Sequence, residues 1–65
     1  MAKDYAVHEY DPAFHDFTVV AVYAKEDNAL KHLNRLPATH TRAVVHRPAG
    51  GESKVIASYN AGQEP

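Results

Sequence analysis

The chain has 65 residues, no cysteine, and seven Lys/Arg against eight Asp/Glu, for a net charge of −1. That length allows one domain over residues 1–65 and excludes two, because each half would be too small to bury a core unaided. Without cysteine there is no disulfide and no thiolate metal site, so nothing covalent staples the fold.

The 45% apolar content overstates the core, since 11 of those residues are alanine. A domain of this size is expected to be stable by roughly 3–10 kcal/mol, and so few large side chains place this one toward the lower figure. Lys3 is followed by Asp4, His8, Glu9 and Asp11 and not by an apolar stretch, which is unlike a signal peptide. The longest apolar run, Val19 to Ala24, falls far short of the ~20 residues a membrane helix needs. A soluble cytoplasmic protein with no membrane partner is the expectation.

In chain order, residues 3–10 alternate weakly, with Tyr5 and Val7 on one side and Ala6, His8 and Tyr10 on the other. This reads as an edge strand. Asp11-Pro12 then makes a turn, because proline fixes φ and pushes its predecessor toward extended geometry. Phe17 to Ala24 is the surest strand, rich in β-branched and aromatic residues. Strict alternation puts Phe17, Val19, Ala21 and Tyr23 on one face and Thr18, Val20, Val22 and Ala24 on the other. Both faces are largely apolar, which predicts a central strand.

Residues 26–36 form the one clear helix, with Ala29, Leu30, Leu33 and Leu36 as its apolar stripe. Glu26 and Asp27 at its start and Lys31, His32 and Arg35 toward its end complement the helix dipole. Asp27 is a candidate for the N-cap or for an i, i+4 pair with Lys31. Pro37 ends the helix. Residues 41–47 and 54–60 are two more β-rich runs, and Gly50-Gly51 between them argues for a hairpin. Residues 61–65 read as a frayed tail. The fold class is therefore α+β: one helix packed on a three- or four-stranded, mostly antiparallel sheet, in the order (β)βαββ.

Five histidines raise the question of metal binding, but His8 and His15 are seven apart across a turn, and His32, His40 and His46 lie on three different elements. Neither pattern matches the spacings that hold zinc, so no metal is expected. No serine or threonine lies in a strained elbow or Gly-rich loop, and the adjacent His15 and Asp16 would point to opposite faces of a strand. The reading is therefore non-enzymatic, with no catalytic residue and no cofactor.

Charge is divided along the chain. Residues 1–27 hold Lys3 and Lys25 against Asp4, Glu9, Asp11, Asp16, Glu26 and Asp27, a balance of −4; the remainder balances at +3. If the first two strands pair through the Asp11-Pro12 turn, Glu9, Asp11 and Asp16 come near one another, with Tyr5 and Tyr10 between the carboxylates as aromatic anchors. On the basic side, Lys31, Arg35, Arg42, Arg47 and Lys54, with Tyr23 and Tyr59 as stacking surfaces, outline a nucleic-acid interface. A net charge of −1 is unlike a dedicated nucleic-acid domain, so nucleic acid is the alternative partner and not the expected one.

A chain so small, cysteine-free and near-neutral, with an acidic first half, is similar to small accessory proteins of bacteria and their phages. In particular it resembles the anti-CRISPR class in size, fold class and acidic surface; no motif carries the likeness. The resemblance implies a viral protein that inhibits a nuclease complex by protein–protein contact, as a DNA mimic presenting carboxylates where the complex expects phosphates. Its partner would be a protein with a basic groove, such as a CRISPR effector subunit. The mimic surface would comprise Glu9, Tyr10, Asp11, Asp16, Glu26 and Asp27, on a monomer or homodimer. The other readings are a small RNA- or DNA-binding βαββ module and a self-associating structural protein whose exposed sheet edge or bare sheet face pairs with a copy of itself.

Overall fold

The computed structural model describes residues 3–64. Its elements are strand β1 (Tyr5–Asp11), strand β2 (Asp16–Tyr23), helix α1 (Glu26–Arg35), strand β3 (Arg42–His46) and strand β4 (Lys54–Tyr59). The four strands form one sheet in the order β2-β1-β3-β4, with every neighbouring pair antiparallel. One helix on a four-stranded antiparallel sheet is the α+β arrangement expected from the pattern.

The positions of the first two strands are exchanged relative to expectation. β1 is central, paired with β2 on one side and β3 on the other, and its Ala6 and Val7 are fully buried. β2, the most apolar strand, lies at the sheet edge with its first five residues exposed. The β1–β3 ladder continues past the strand ends through Tyr10 N–H to the Thr41 carbonyl (2.8 Å) and Arg47 N–H to the Asp4 carbonyl (2.7 Å).

Both edge strands carry one extra residue. Val7 faces Ala21 and His8 faces Val19, so Val20 is left over as a bulge; Val44 faces Ala57 and Val45 faces Val55, so Ile56 is left over in β4. The bulge in β2 corrects the strict alternation read from its sequence. Ala21 and Tyr23 pack toward the helix, while the register pairs Phe17 with Tyr10, Val19 with His8 and Val22 with Ala6, on the opposite side.

The core lies between one sheet face and α1. Val7, Val44, Ala29 and Leu33 are its fully buried members, ringed by Tyr5, Ala21, Tyr23, Leu30, Leu36, Ile56, Ala57 and Tyr59. The helix begins two residues earlier than a cap at Asp27 would allow. Lys25 is the N-cap, makes no side-chain cap bond, and leaves Glu26 and Asp27 in the first turn. Leu36, expected as the last helical residue, is the extended C-cap, with its N–H shared between the His32 and Leu33 carbonyls.

Residues 61–63, read as a frayed tail, are tied to the body. Gly62 adopts φ +84°, which glycine tolerates without steric cost, and its N–H donates to the Ala38 carbonyl at 2.6 Å. Pro65 lies outside the described residues.

Candidate binding surfaces

The β1–β2 hairpin gathers four of the six residues expected to meet a partner. Asp11 and Asp16 face each other across the last rung of the ladder, on either side of the turn at residues 12–15. The turn is built locally: Asp11 Oδ1 accepts from the Ala13 N–H (2.9 Å), and His15 takes φ 54°, a left-handed conformation that histidine tolerates better than most residues. Asp16 Oδ1 accepts from the Phe17 N–H at 2.7 Å. Opposed like charges cost stability in a ladder, so this rung is held by the turn and not by the aspartates.

One rung further in, Tyr10 and Phe17 pack edge to face with ring centroids 5.5 Å apart. Glu9, next along β1, is half-buried, and its carboxylate lies 3.9 Å from His40 Nδ1. Phe14, in the turn, is 74% exposed, the most exposed large apolar side chain described. The hairpin end is therefore an exposed phenylalanine and an aromatic pair rimmed by carboxylates.

Glu26 and Asp27 do not belong to this group. β2 runs eight residues away from Asp16, about 23 Å at the usual strand rise, before the helix starts. They sit at the opposite end of the sheet and are exposed in the first turn of α1.

The basic residues separate too. Lys31 and Arg35 flank an open cavity of about 500 Å³ lined also by Tyr23, Asn28, His32 and Leu36. Tyr23 Oη and His32 Nδ1 share a hydrogen bond of 2.7 Å there. Arg42, expected on the basic surface, is fully buried. Its Nη1 donates to the carbonyls of His40 (3.3 Å) and Asn60 (3.4 Å), its Nη2 to that of Gln63 (2.6 Å), and its guanidinium lies 5.0 Å from the Tyr59 ring centroid. Tyr59 is thus half-buried with one ring face covered by Arg42, and it donates its hydroxyl to Asn34 Oδ1 (3.3 Å). The signal for Arg42 was present in the strand period, which puts it on the same side as Val44.

A bare sheet face is part of the self-associating reading of the sequence, but the residues that form it, opposite α1, do not follow from the sequence pattern. No described element covers it, and its Phe17, Val19, Val22 and Val55 are all more than a third exposed. A recess of about 140 Å³ opens on it, lined by His8, Phe17, Ala43, Val45 and Val55. His8 Nε2 is buried there with no hydrogen-bond partner, and burial together with the positive charge of Arg47 lowers the His8 pKa. The apolar character of β2 on both its faces was the available signal. A covered central strand was the simpler reading of it.

Among the described residues no group of three or more His, Asp or Glu side chains converges as a metal site would require, and no helix is long and apolar enough to cross a membrane. Comparison with protein families, with characterised proteins and with solved structures finds no match to this chain.

Proposed function

We propose that the chain is a non-enzymatic protein-binding module whose β1–β2 hairpin end meets a basic surface on its partner. The observation that carries this reading is that Glu9, Asp11, Asp16 and the Tyr10–Phe17 pair occupy the last three rungs of the β1–β2 ladder, with Phe14 exposed in the turn beyond them. Aromatic side chains supply desolvated anchor area, and rim carboxylates set encounter rate and register. An inhibitor that occupies the DNA-binding groove of a nuclease complex, as the anti-CRISPR class does, is the specific form of this function that the likeness in size and acidic surface supports. Under this reading the contact comprises Glu9, Tyr10, Asp11 and Asp16, and the distance of Glu26 and Asp27 at the other end of the sheet argues against their taking part.

The test is capture from a bacterial lysate with the chain as bait and the bound protein identified by mass. Changing Glu9, Asp11 and Asp16 together to lysine is expected to abolish capture; capture unchanged by that reversal would sink the reading.

The second reading, nucleic-acid binding, is favoured by one observation, the cavity flanked by Lys31 and Arg35 with no carboxylate in its lining. It has lost Arg42 to the interior, and the Arg42 guanidinium covers one face of the half-buried Tyr59 ring. Binding to mixed DNA or RNA at ~50 mM salt would support it, since phosphate contacts are strongest at low salt, and no binding there would eliminate it.

A further inference from the structure

Among the described residues, more large apolar side chains are exposed than fully buried. The fully buried ones are Val7, Leu33 and Val44, whereas Phe14, Phe17, Val19, Val20, Val22 and Val55 are exposed. Apart from Phe14 in the turn, these lie on the two edge strands, and the uncovered sheet face collects Phe17, Val19, Val22 and Val55 around the half-buried Val45. We propose that this face is the interface of a homodimer, in which two copies pack sheet against sheet.

Three features point to a second copy as the occupant. The first is charge. The strand positions on this face are taken by valine, phenylalanine, alanine, Tyr10, Ser58 and His8, and the charges that flank them, Asp4 and Arg47 just past the ends of β1 and β3, are of opposite sign at one margin. A two-fold axis puts each patch against itself, which is tolerable only where no like charges are brought together. The second is area. Four strands ~4.8 Å apart and about six residues long make a face of roughly 400 Å² in projection, and side-chain relief raises this to ~600 Å² of accessible surface. Two copies then bury about 1,200 Å², the lower limit for a specific stable interface. The third is shape. The recess of about 140 Å³ beside His8 gives an opposing sheet room to insert side chains at the ~10 Å spacing of packed sheets. Tyr10 and Phe17 border both this face and the hairpin end, whereas strand alternation puts Glu9 and Asp11 on the other side of the sheet, so the charge reversal that tests the hairpin end and the oligomeric state that tests this face give separate answers.

Sedimentation equilibrium of the whole chain from about 1 to 200 μM tests the proposal, a range that brackets a micromolar dimer. The expected result is a mass of twice the 7.2 kDa chain at the upper concentrations. Val19→Glu and Val55→Glu, at positions 48% and 57% exposed in the single chain, are expected to shift the mass to that of a monomer. Phe14→Ser, in the turn beyond the strands, is expected to leave it unchanged. If the glutamate variants fail to fold, the wild-type chain still decides the matter: Tm rising with protein concentration supports a dimer, and a constant Tm overturns it. A chain that stays monomeric throughout the range overturns the proposal, whatever else the face is found to bind. A dimer that survives both glutamate substitutions overturns it as well, since pairing would then run through another surface.

Discussion

Arg42 is fully buried and has no carboxylate partner among the described residues. Three backbone carbonyls and the face of Tyr59 take the place of a counter-ion, so the guanidinium ties the start of β3 to the end of the chain. A planar fork is needed for that, and a lysine ammonium cannot span the same acceptors. Arg42→Lys is expected to lower stability by about 2 kcal/mol and Arg42→Ala by about 3 kcal/mol, read from urea unfolding, because buried acceptors lose their donors in both cases. His8 gives the second expectation at this scale. Its pKa is lowered from the ordinary 6.5 by burial and by Arg47, so the unfolded chain takes up its proton first as pH falls. This contribution to stability is complete above pH 6.5, declines as pH drops below it, and levels off below the lowered value. The urea midpoint should therefore fall between pH 7.5 and 5.5, and His8→Gln should reduce that fall.

The helix illustrates what an element gains from its sequence and what it lacks. Ten residues are too few for a stable isolated helix, so α1 depends on seating Ala29 and Leu33 in the core. Its amphipathic stripe and proline stop were plain in the sequence, because both arise from local chemistry. The cap was not. Asp27 was the obvious residue for it, but Lys25 occupies the position with extended geometry (φ −119°, ψ 140°) and no side-chain bond. Lys25→Ser places a hydroxyl where the first-turn N–H groups lack an acceptor, and should raise stability by about 1 kcal/mol in urea unfolding. The strands divide in the same way. Their existence followed from β-branched runs and turn residues, whereas their order in the sheet did not. Whether β1 or β2 is central depends on which of them β3 joins after the helical crossover, and no single strand encodes that partner. The bulge at Val20 was likewise hidden, since an extra residue in an apolar run looks like more of the same strand.

At the scale of the whole molecule, the division of charge along the chain does not become two opposed faces. β1, from the acidic half, lies between β2 and the basic half's β3, so the sheet interleaves the two. What survives is an acidic end at the hairpin, assembled by pairing, and a separate cationic stretch on α1. Glu9, Asp11 and Asp16 were legible as a group because a hairpin follows from the Asp11-Pro12 turn. The residues of the uncovered sheet face were not, because whether an apolar strand face is covered depends on how many helices the chain supplies. This chain supplies one, and a sheet has two sides. Dimerisation through the second side would leave the acidic ends in pairs, which raises apparent affinity for any partner that repeats its basic surface.

The extra residues in β2 and β4 bear on a hazard of such a surface. A protein with bare valines and two free strand edges is at risk of open-ended stacking into fibres, as strands add to strands without limit. Here each outer strand is kinked in mid-course, at Val20 and at Ile56, so neither offers the straight, uninterrupted template that such growth copies. Self-recognition is thereby confined to the flat of the sheet, where it is satisfied after one encounter. The irregularities at the margins make association finite.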